Sequence, residues 1–252
     1  MIREWITPEG RIYNLFDSCL NQSHLLIAGA TGSGKSVFEN GLMATALYNS
    51  PAAVRFILID PKMTELFMYR DLPHTIAYAC DGEDMINALR YAVDIIMARN
   101  RDAQKRNLRQ YDGSHIYVVV DELQDLMTTH RKEAFPLLQR IAQIGRSSRV
   151  HLIACTQSPI CRIIPTELKC NFDARIALRT ASKQDSRNIL DMTGCENLPN
   201  PRDVGTAFGY YRHGADTELY KLPYVGEDEI NRLINYWMKN SKPRIINEKI
   251  GA

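Results

Sequence analysis

The sequence predicts an α/β protein with one mostly parallel central sheet and helices on both of its faces. Short apolar, β-branched runs alternate with amphipathic stretches along the whole chain. A Gly-rich turn, Gly29-Ala30-Thr31-Gly32-Ser33-Gly34-Lys35-Ser36, joins an apolar run to a helical pattern. A second apolar run, Ile116 to Val120, ends in two acids, Asp121 and Glu122.

In chain order, Leu25 to Ala28 reads as a buried strand, and a helix begins at Lys35. Val54 to Asp60 is a second strand, closed by Pro61. From Asp84 to about Arg106 the apolar positions Met85, Leu89, Ala92 and Ile96 fall on one helical face, with Ile86, Val93 and Met97 beside them. The basic end of that helix (Arg99, Arg101, Lys105, Arg106) complements the helix dipole and reads as a solvated terminus. Ile116 to Asp121 is a central strand. A helix follows from about Arg131 to Gly145, with Pro136 marking a kink or a later start. Val150–Thr156 and Ala174–Leu178 are strands, two more lie near Thr206–Tyr211 and Glu218–Leu222, and Glu227 to Lys239 closes the chain as an amphipathic helix. No repeat or low-complexity linker interrupts this order, so residues 1–252 are expected to form a single domain, with 1–21 and 241–252 peripheral.

The hydrophobic share of 45% and charged share of 24% are those of a soluble globular chain. A formal charge of +2 does not announce a nucleic-acid partner, so any basic surface is local. The six cysteines (Cys19, Cys80, Cys155, Cys161, Cys170, Cys195) form no C-x-x-C pair. They read as reduced packing residues, against a zinc site or a disulfide framework. The first residues lack a signal-peptide apolar region, and no apolar run approaches the ~20 residues that span a bilayer. A cytoplasmic location follows as the expectation, with any membrane attachment through a partner.

Gly29 to Ser36 fits the phosphate-loop pattern G-x-x-x-x-G-K-[ST] without a mismatch. Strand, turn and helix start surround one anion with backbone N–H groups and the positive end of a helix. Gly29, Ala30, Thr31, Gly32, Ser33, Gly34, Lys35, Ser36 and Val37 are therefore the expected ATP-binding residues. Lys35 reaches the β- and γ-phosphates, and the Ser36 hydroxyl suits Mg²⁺. Parallel strands would bring Asp121 beside this loop, where it shares the Mg²⁺ with Ser36. Glu122 would then orient the attacking water, as phosphoryl transfer requires. Gln157, after the strand Val150–Thr156, is placed to sense the γ-phosphate. Arg146 and Arg149 are both candidates for an arginine donated to a neighbouring subunit's site, and both also fit ordinary surface cations.

At this point the chain resembles the FtsK/SpoIIIE family of DNA-translocating motor domains. The similarity runs through Leu25–Ser36, Arg55–Leu66 with its Asp60-Pro61-Lys62 element, Leu72-Pro73-His74, Val119–Leu123, Asp125–Met127, His151–Gln157 and Ser182–Arg187. It covers roughly residues 8 to 240. The resemblance implies a RecA-like P-loop NTPase fold and a ring, usually a hexamer, with five or six members left open. It also implies ATP-driven movement of double-stranded DNA through the ring. Arg146 matches the family's trans-acting arginine, Lys169 a basic pore-loop position, and Lys183 and Arg187 a second basic group facing DNA. Arg162 lies on the first of these loops without a family counterpart. The chain departs from the family in having Ser158-Pro159 where Arg-Pro is usual, so Arg162 is the expected substitute, and in having Arg149 where Gly is usual. With no membrane anchor or winged-helix module in the sequence, the expectation is a stripped-down motor of phages, plasmids or integrative elements. Its partner would be a portal, a relaxase complex or a membrane channel. The alternative is a protein-export motor of the type VII secretion kind.

Overall fold

A computed structural model describes residues 5–6, 12–13, 24–222 and 224–240. The expected peripheral segments and Cys19 lie largely outside these. The strands are β1 (Trp5–Ile6), β2 (Ile12–Tyr13), β3 (Leu25–Ala28), β4 (Val54–Ile59), β5 (Thr75–Ala79), β6 (His115–Val120), β7 (Val150–Thr156), β8 (Ala174–Leu178), β9 (Phe208–His213) and β10 (Asp216–Lys221). The helices are α1 (Lys35–Ala46), α2 (Gly82–Lys105), α3 (Leu123–Thr129), α4 (Arg131–Ile144), α5 (Thr166–Lys169), α6 (Lys183–Leu190), α7 (Pro201–Val204) and α8 (Glu227–Asn240). Among the described residues no helix is long and apolar enough to cross a membrane. The fold is α/β, with its motif-bearing strands parallel.

The chain forms two compact units. One comprises residues 1–46 with 155–230, the other residues 47–154 with 231–252. In the first unit β3 pairs in parallel with β8, and the sheet continues antiparallel through β9 and β10 to β1 and β2. β3 is fully buried, as an all-apolar strand inside a sheet must be. β9 and β10 are joined in a hairpin at Gly214, whose φ of 61° needs no Cβ accommodation.

In the second unit β5, β4, β6 and β7 are parallel neighbours in that order. Tyr117 of β6 and His151 of β7 stack with His115, whose Nδ1 lies 2.9 Å from His151 Nε2. Burial, with help from Arg149 and Arg99, lowers the His115 pKa to about 4. α2 starts two residues earlier than the apolar pattern suggests, because the Asp81 carboxylate accepts from Asp84 N and caps it. Met85, Leu89, Ala92 and Ile96 are all buried as expected, while Met97 is exposed at the edge of the stripe. α4 runs unbroken from Arg131 with Pro136 inside, so the proline does not delay its start. Trp237 of α8 donates to Leu47 O at 2.7 Å and stands edge-on to His74, 4.9 Å away.

Candidate nucleotide site and basic loops

The phosphate loop lies wholly in the first unit. β3 ends at Ala28, and Gly29 N donates to Thr156 O at 3.2 Å while Ala30 N donates to Arg179 O at 2.8 Å. These two bonds fasten the start of the loop to Thr156 and Arg179 of the same unit. Gly34 has φ 96°, and a Cβ there would lie 2.9 Å from Ala207 Cβ, so glycine is required twice over. Gly29 is constrained by contact instead, since its Cβ would lie 2.9 Å from Leu178 Cβ.

Lys35 is the first residue of α1 and only 5% exposed. The helix dipole opposes a cation at this end. Glu39, one turn on and also buried, is 3.8 Å away. A buried ammonium at the start of a helix fits an anionic ligand such as a triphosphate. Ser36 is half-buried, and Val37 is exposed. Thr31 Oγ1 donates to Gln157 Oε1 at 2.8 Å, so the loop and the expected γ-phosphate sensor do meet.

The sequence assigned no site role to residues 200–207. Pro201, Gly205, Thr206 and Ala207, with Gly34, Val37, Phe38, Leu222 and Tyr224, line a mainly apolar cavity of about 200 Å³ beside the loop. Tyr224 is 70% exposed. The Arg202 guanidinium lies 3.9 Å from where a Gly32 Cβ would stand, which places a cation against the phosphate loop. The sequence signal here was slight: Asn200-Pro201 is a helix-start pair, with Asn200 Oδ1 accepting from Arg202 N.

The acidic pair belongs to the second unit. Asp121 follows β6 and is 2% exposed, with its backbone N donating to Ile59 O at 3.1 Å. Glu122 is 1% exposed and is the N-cap of α3, its Oε1 accepting from Gln124 N at 3.4 Å. Its Oε2 accepts from Lys62 Nζ at 3.3 Å. Lys62 is therefore a second neighbour of the site that the sequence did not reveal, although it stands in the quoted Asp-Pro-Lys element.

The two candidate arginines part company. Arg149 is half-buried, in the left-handed region at φ 55°, and its Nη1 donates to Gly113 O at 3.0 Å. Its guanidinium braces its own chain. Arg146 is exposed and begins a 3₁₀ turn, Arg146–Ser148. That turn is clamped by Ser148 Oγ to Asn100 Oδ1 at 2.8 Å, Arg99 Nη1 to Ser148 O at 2.9 Å, and Tyr111 N to Ser147 O at 2.9 Å. Arg99 is thus no solvated helix end, because it also donates to Ser114 O and lies 4.6 Å over the Tyr111 ring.

The expected DNA-facing cations sit in the first unit. Arg162 is exposed. Lys183 and Arg187 are exposed one turn apart on α6, whose Ser182 cap accepts from Asp185 N. Lys169 is only 16% exposed, and its ammonium is already 2.7 Å from Asp191 Oδ1. Asp191 Oδ2 also takes Arg175 Nη1 and Arg212 Nη1, each at 3.0 Å. Burial alone would raise the Asp191 pKa, but Lys169 and Arg175 outweigh it and hold the carboxyl below its usual value.

The FtsK/SpoIIIE family profile matches residues 8–115 and 102–160. The chain belongs to this family. It is 35% identical over 244 residues to the DNA translocase FtsK of Leptospira interrogans serogroup Icterohaemorrhagiae serovar copenhageni, a match covering 88% of this chain and 25% of the relative. It thus spans about a quarter of that relative's length. Among solved structures, the pCW3 conjugation coupling protein TcpA, in its monomer form with ATPgS, superposes with a TM-score of 0.75 at 21% identity, covering 93% of this chain and 70% of TcpA. The cytoplasmic domain of the Thermomonospora curvata type VII secretion ATPase EccC gives 0.76 at 23% identity, covering 93% and 30%. By family and fold, the chain is a P-loop ATPase domain.

Proposed function

We propose that this family member hydrolyses ATP to move double-stranded DNA as a homo-oligomeric ring. The observation that supports it most is the buried Lys35 at the start of α1, a cation held against the helix dipole directly after the Gly-rich turn. Lys35 and the loop amides bind the triphosphate, and Gln157, touching Thr31, follows the state of the γ-phosphate. Ser36 and Asp121 carry hard oxygen donors of the kind Mg²⁺ takes, and they would hold an ion that would supply charge neutralisation during phosphoryl transfer. Glu122 orients the water and accepts its proton. Arg146, exposed on a clamped turn, serves the neighbouring subunit's site. Lys183, Arg187 and Arg162 face duplex phosphates, and Lys169 joins them if it leaves Asp191.

Phosphate contacts carry affinity without base reading, so binding is salt-dependent and indifferent to sequence. The ring has five or six members and works in the cytoplasm. It passes DNA to or from a portal, a relaxase complex or a membrane channel, in phage packaging or conjugative transfer.

The test is ATP turnover by the assembled ring with and without each of two unrelated duplexes, at several salt concentrations. Duplex should stimulate turnover, and Glu122→Gln should bind ATP while turning over little. Alanine at Lys183 and Arg187 should flatten the log K against log[salt] slope by about 0.9 per lost contact. If no duplex binds or stimulates, a protein-export motor replaces the DNA motor. If Glu122→Gln hydrolyses ATP at the wild-type rate, the catalytic assignment falls.

A further inference from the structure

We infer that Lys62 is a positioning residue that latches Glu122, withholding one carboxylate oxygen from water until the ammonium transfers to Asp125. This rests on the reading of Glu122 as the water-orienting group.

The latch is built by the turn after β4. Asp60 is fully buried, and its carboxylate accepts from Leu66 N at 3.0 Å and from Thr64 N at 3.3 Å. Asp60 O also accepts from Met63 N at 3.1 Å, and Met63 takes φ 53°, an uncommon conformation for a side chain without a polar group. These bonds close the chain from Asp60 to Leu66 into a tight loop with Lys62 at its tip. β4 pairs in register with β6, Ile59 beside Val120, so the residues following the two strands emerge together. Lys62 Nζ thereby reaches Glu122 Oε2 at 3.3 Å.

The two partners differ in freedom. Glu122 is buried and also caps α3 through Oε1, so its carboxylate is held in place. Lys62 is 41% exposed on a flexible stem, so the ammonium is the partner that moves. A second seat is close by: Asp125 Oδ2, one turn along α3, lies 3.9 Å from the same Nζ. One ammonium thus stands within reach of two carboxylates, one buried and one half-exposed.

A charge-assisted bond to a carboxylate outcompetes a bond from neutral water. With Lys62 on Oε2, that oxygen is a poor acceptor for the attacking water. With Lys62 on Asp125, Oε2 is open to it. Because the pair is partly exposed, the latch is weak enough to release, and its loss should change the rate by about two- to fivefold.

Lys62→Met removes the ammonium and keeps the stem. Turnover of ATP with Mg²⁺ is measured on the assembled full chain, with and without duplex. The expected result is a two- to fivefold rise in DNA-free kcat with KM little changed, and a smaller stimulation by duplex. Lys62→Arg should keep the low DNA-free rate. Asp125→Asn takes away the second seat, so it should lower the stimulated kcat, but only while Lys62 is present. The double variant Lys62→Met with Asp125→Asn should behave as Lys62→Met alone.

A fall or no change in DNA-free kcat for a folded Lys62→Met overturns the latch, as does an Asp125→Asn effect that survives without Lys62. Glu122→Gln separates the two levels. If it is inactive while Lys62→Met fails to accelerate, only the latch is wrong. If Glu122→Gln turns over normally, the catalytic reading and the latch fall together.

Discussion

Replacing Asp191 tests how one half-exposed carboxylate stabilises the unit that carries the phosphate loop and the basic loops. Asp191 is 51% exposed, but the cations on it are not: Arg175 is 11%, Lys169 16% and Arg212 26% exposed. Buried charge-assisted bonds contribute about 1.5–3 kcal/mol each, and exposed pairs about 0.2–1. Arg175 keeps Phe172 O and Ile189 O after the change, and Arg212 keeps Leu190 O at 2.6 Å, so their losses are partial. Lys169 loses its short ion pair, and three cations are left without a counterion. With solvent screening discounted, Asp191→Asn should cost about 2 kcal/mol. Asp191 also ends α6 at φ 61°, which Asn tolerates and Ala does not, so Asp191→Ala should cost about 1 kcal/mol more. For a chain of this size, 2 kcal/mol corresponds to a Tm lower by about 4–8 °C. Thermal melts at low and high salt, followed by circular dichroism, provide the assay. The gap between wild type and Asp191→Asn should narrow as salt rises. A Tm for Asp191→Asn equal to wild type at low salt, or a gap that salt does not alter, would refute the reasoning.

Three further outcomes are expected. Arg146→Ala should lower ATP turnover only in assembled rings, and mixing it with Glu122→Gln subunits should restore activity at interfaces that pair an intact Glu122 with an intact Arg146; equal turnover for mutant and wild-type rings would reject the trans role. Arg202→Ala should raise the Kd for ADP and ATP alike by about three- to tenfold, read by titration, because its guanidinium stands at Gly32 and not at the Lys35 end of the loop; a loss confined to ATP would contradict this placement. Because His115 is neutral when folded, with a pKa of about 4 against an ordinary 6.5, the unfolded chain binds the extra proton first. Stability contributed by its neutral form is complete above about pH 6.5 and is lost progressively toward pH 4, so the urea midpoint should fall over that range. His115→Phe should remove part of the slope.

The sequence by itself determined the elements whose signal is local. β3, β7 and β8 stand at the residues their apolar runs mark, and the periodic α2 and α8 differ from expectation by two residues or fewer at each end. The phosphate-loop motif was legible because it is contiguous and its Gly32 and Gly34 answer to local backbone geometry, and the family was legible because its motifs recur in order. Short elements escaped: β5, α3, α5, α6 and α7 are too brief or too polar for periodicity to register. Tertiary structure alone decided which charges meet. Nothing in the sequence separation of Lys62 and Glu122, or of Lys169 and Asp191, marks them as partners. Nor does it reserve Arg149 for its own chain's carbonyls, leave Arg146 exposed, or lay Arg202 against Gly32. Periodicity records the face a residue shows to the core, and so it places apolar side chains well. A long charged side chain finds its partner only after the strands are registered and the turns closed, because its energy depends on distances that the path of the folded chain sets.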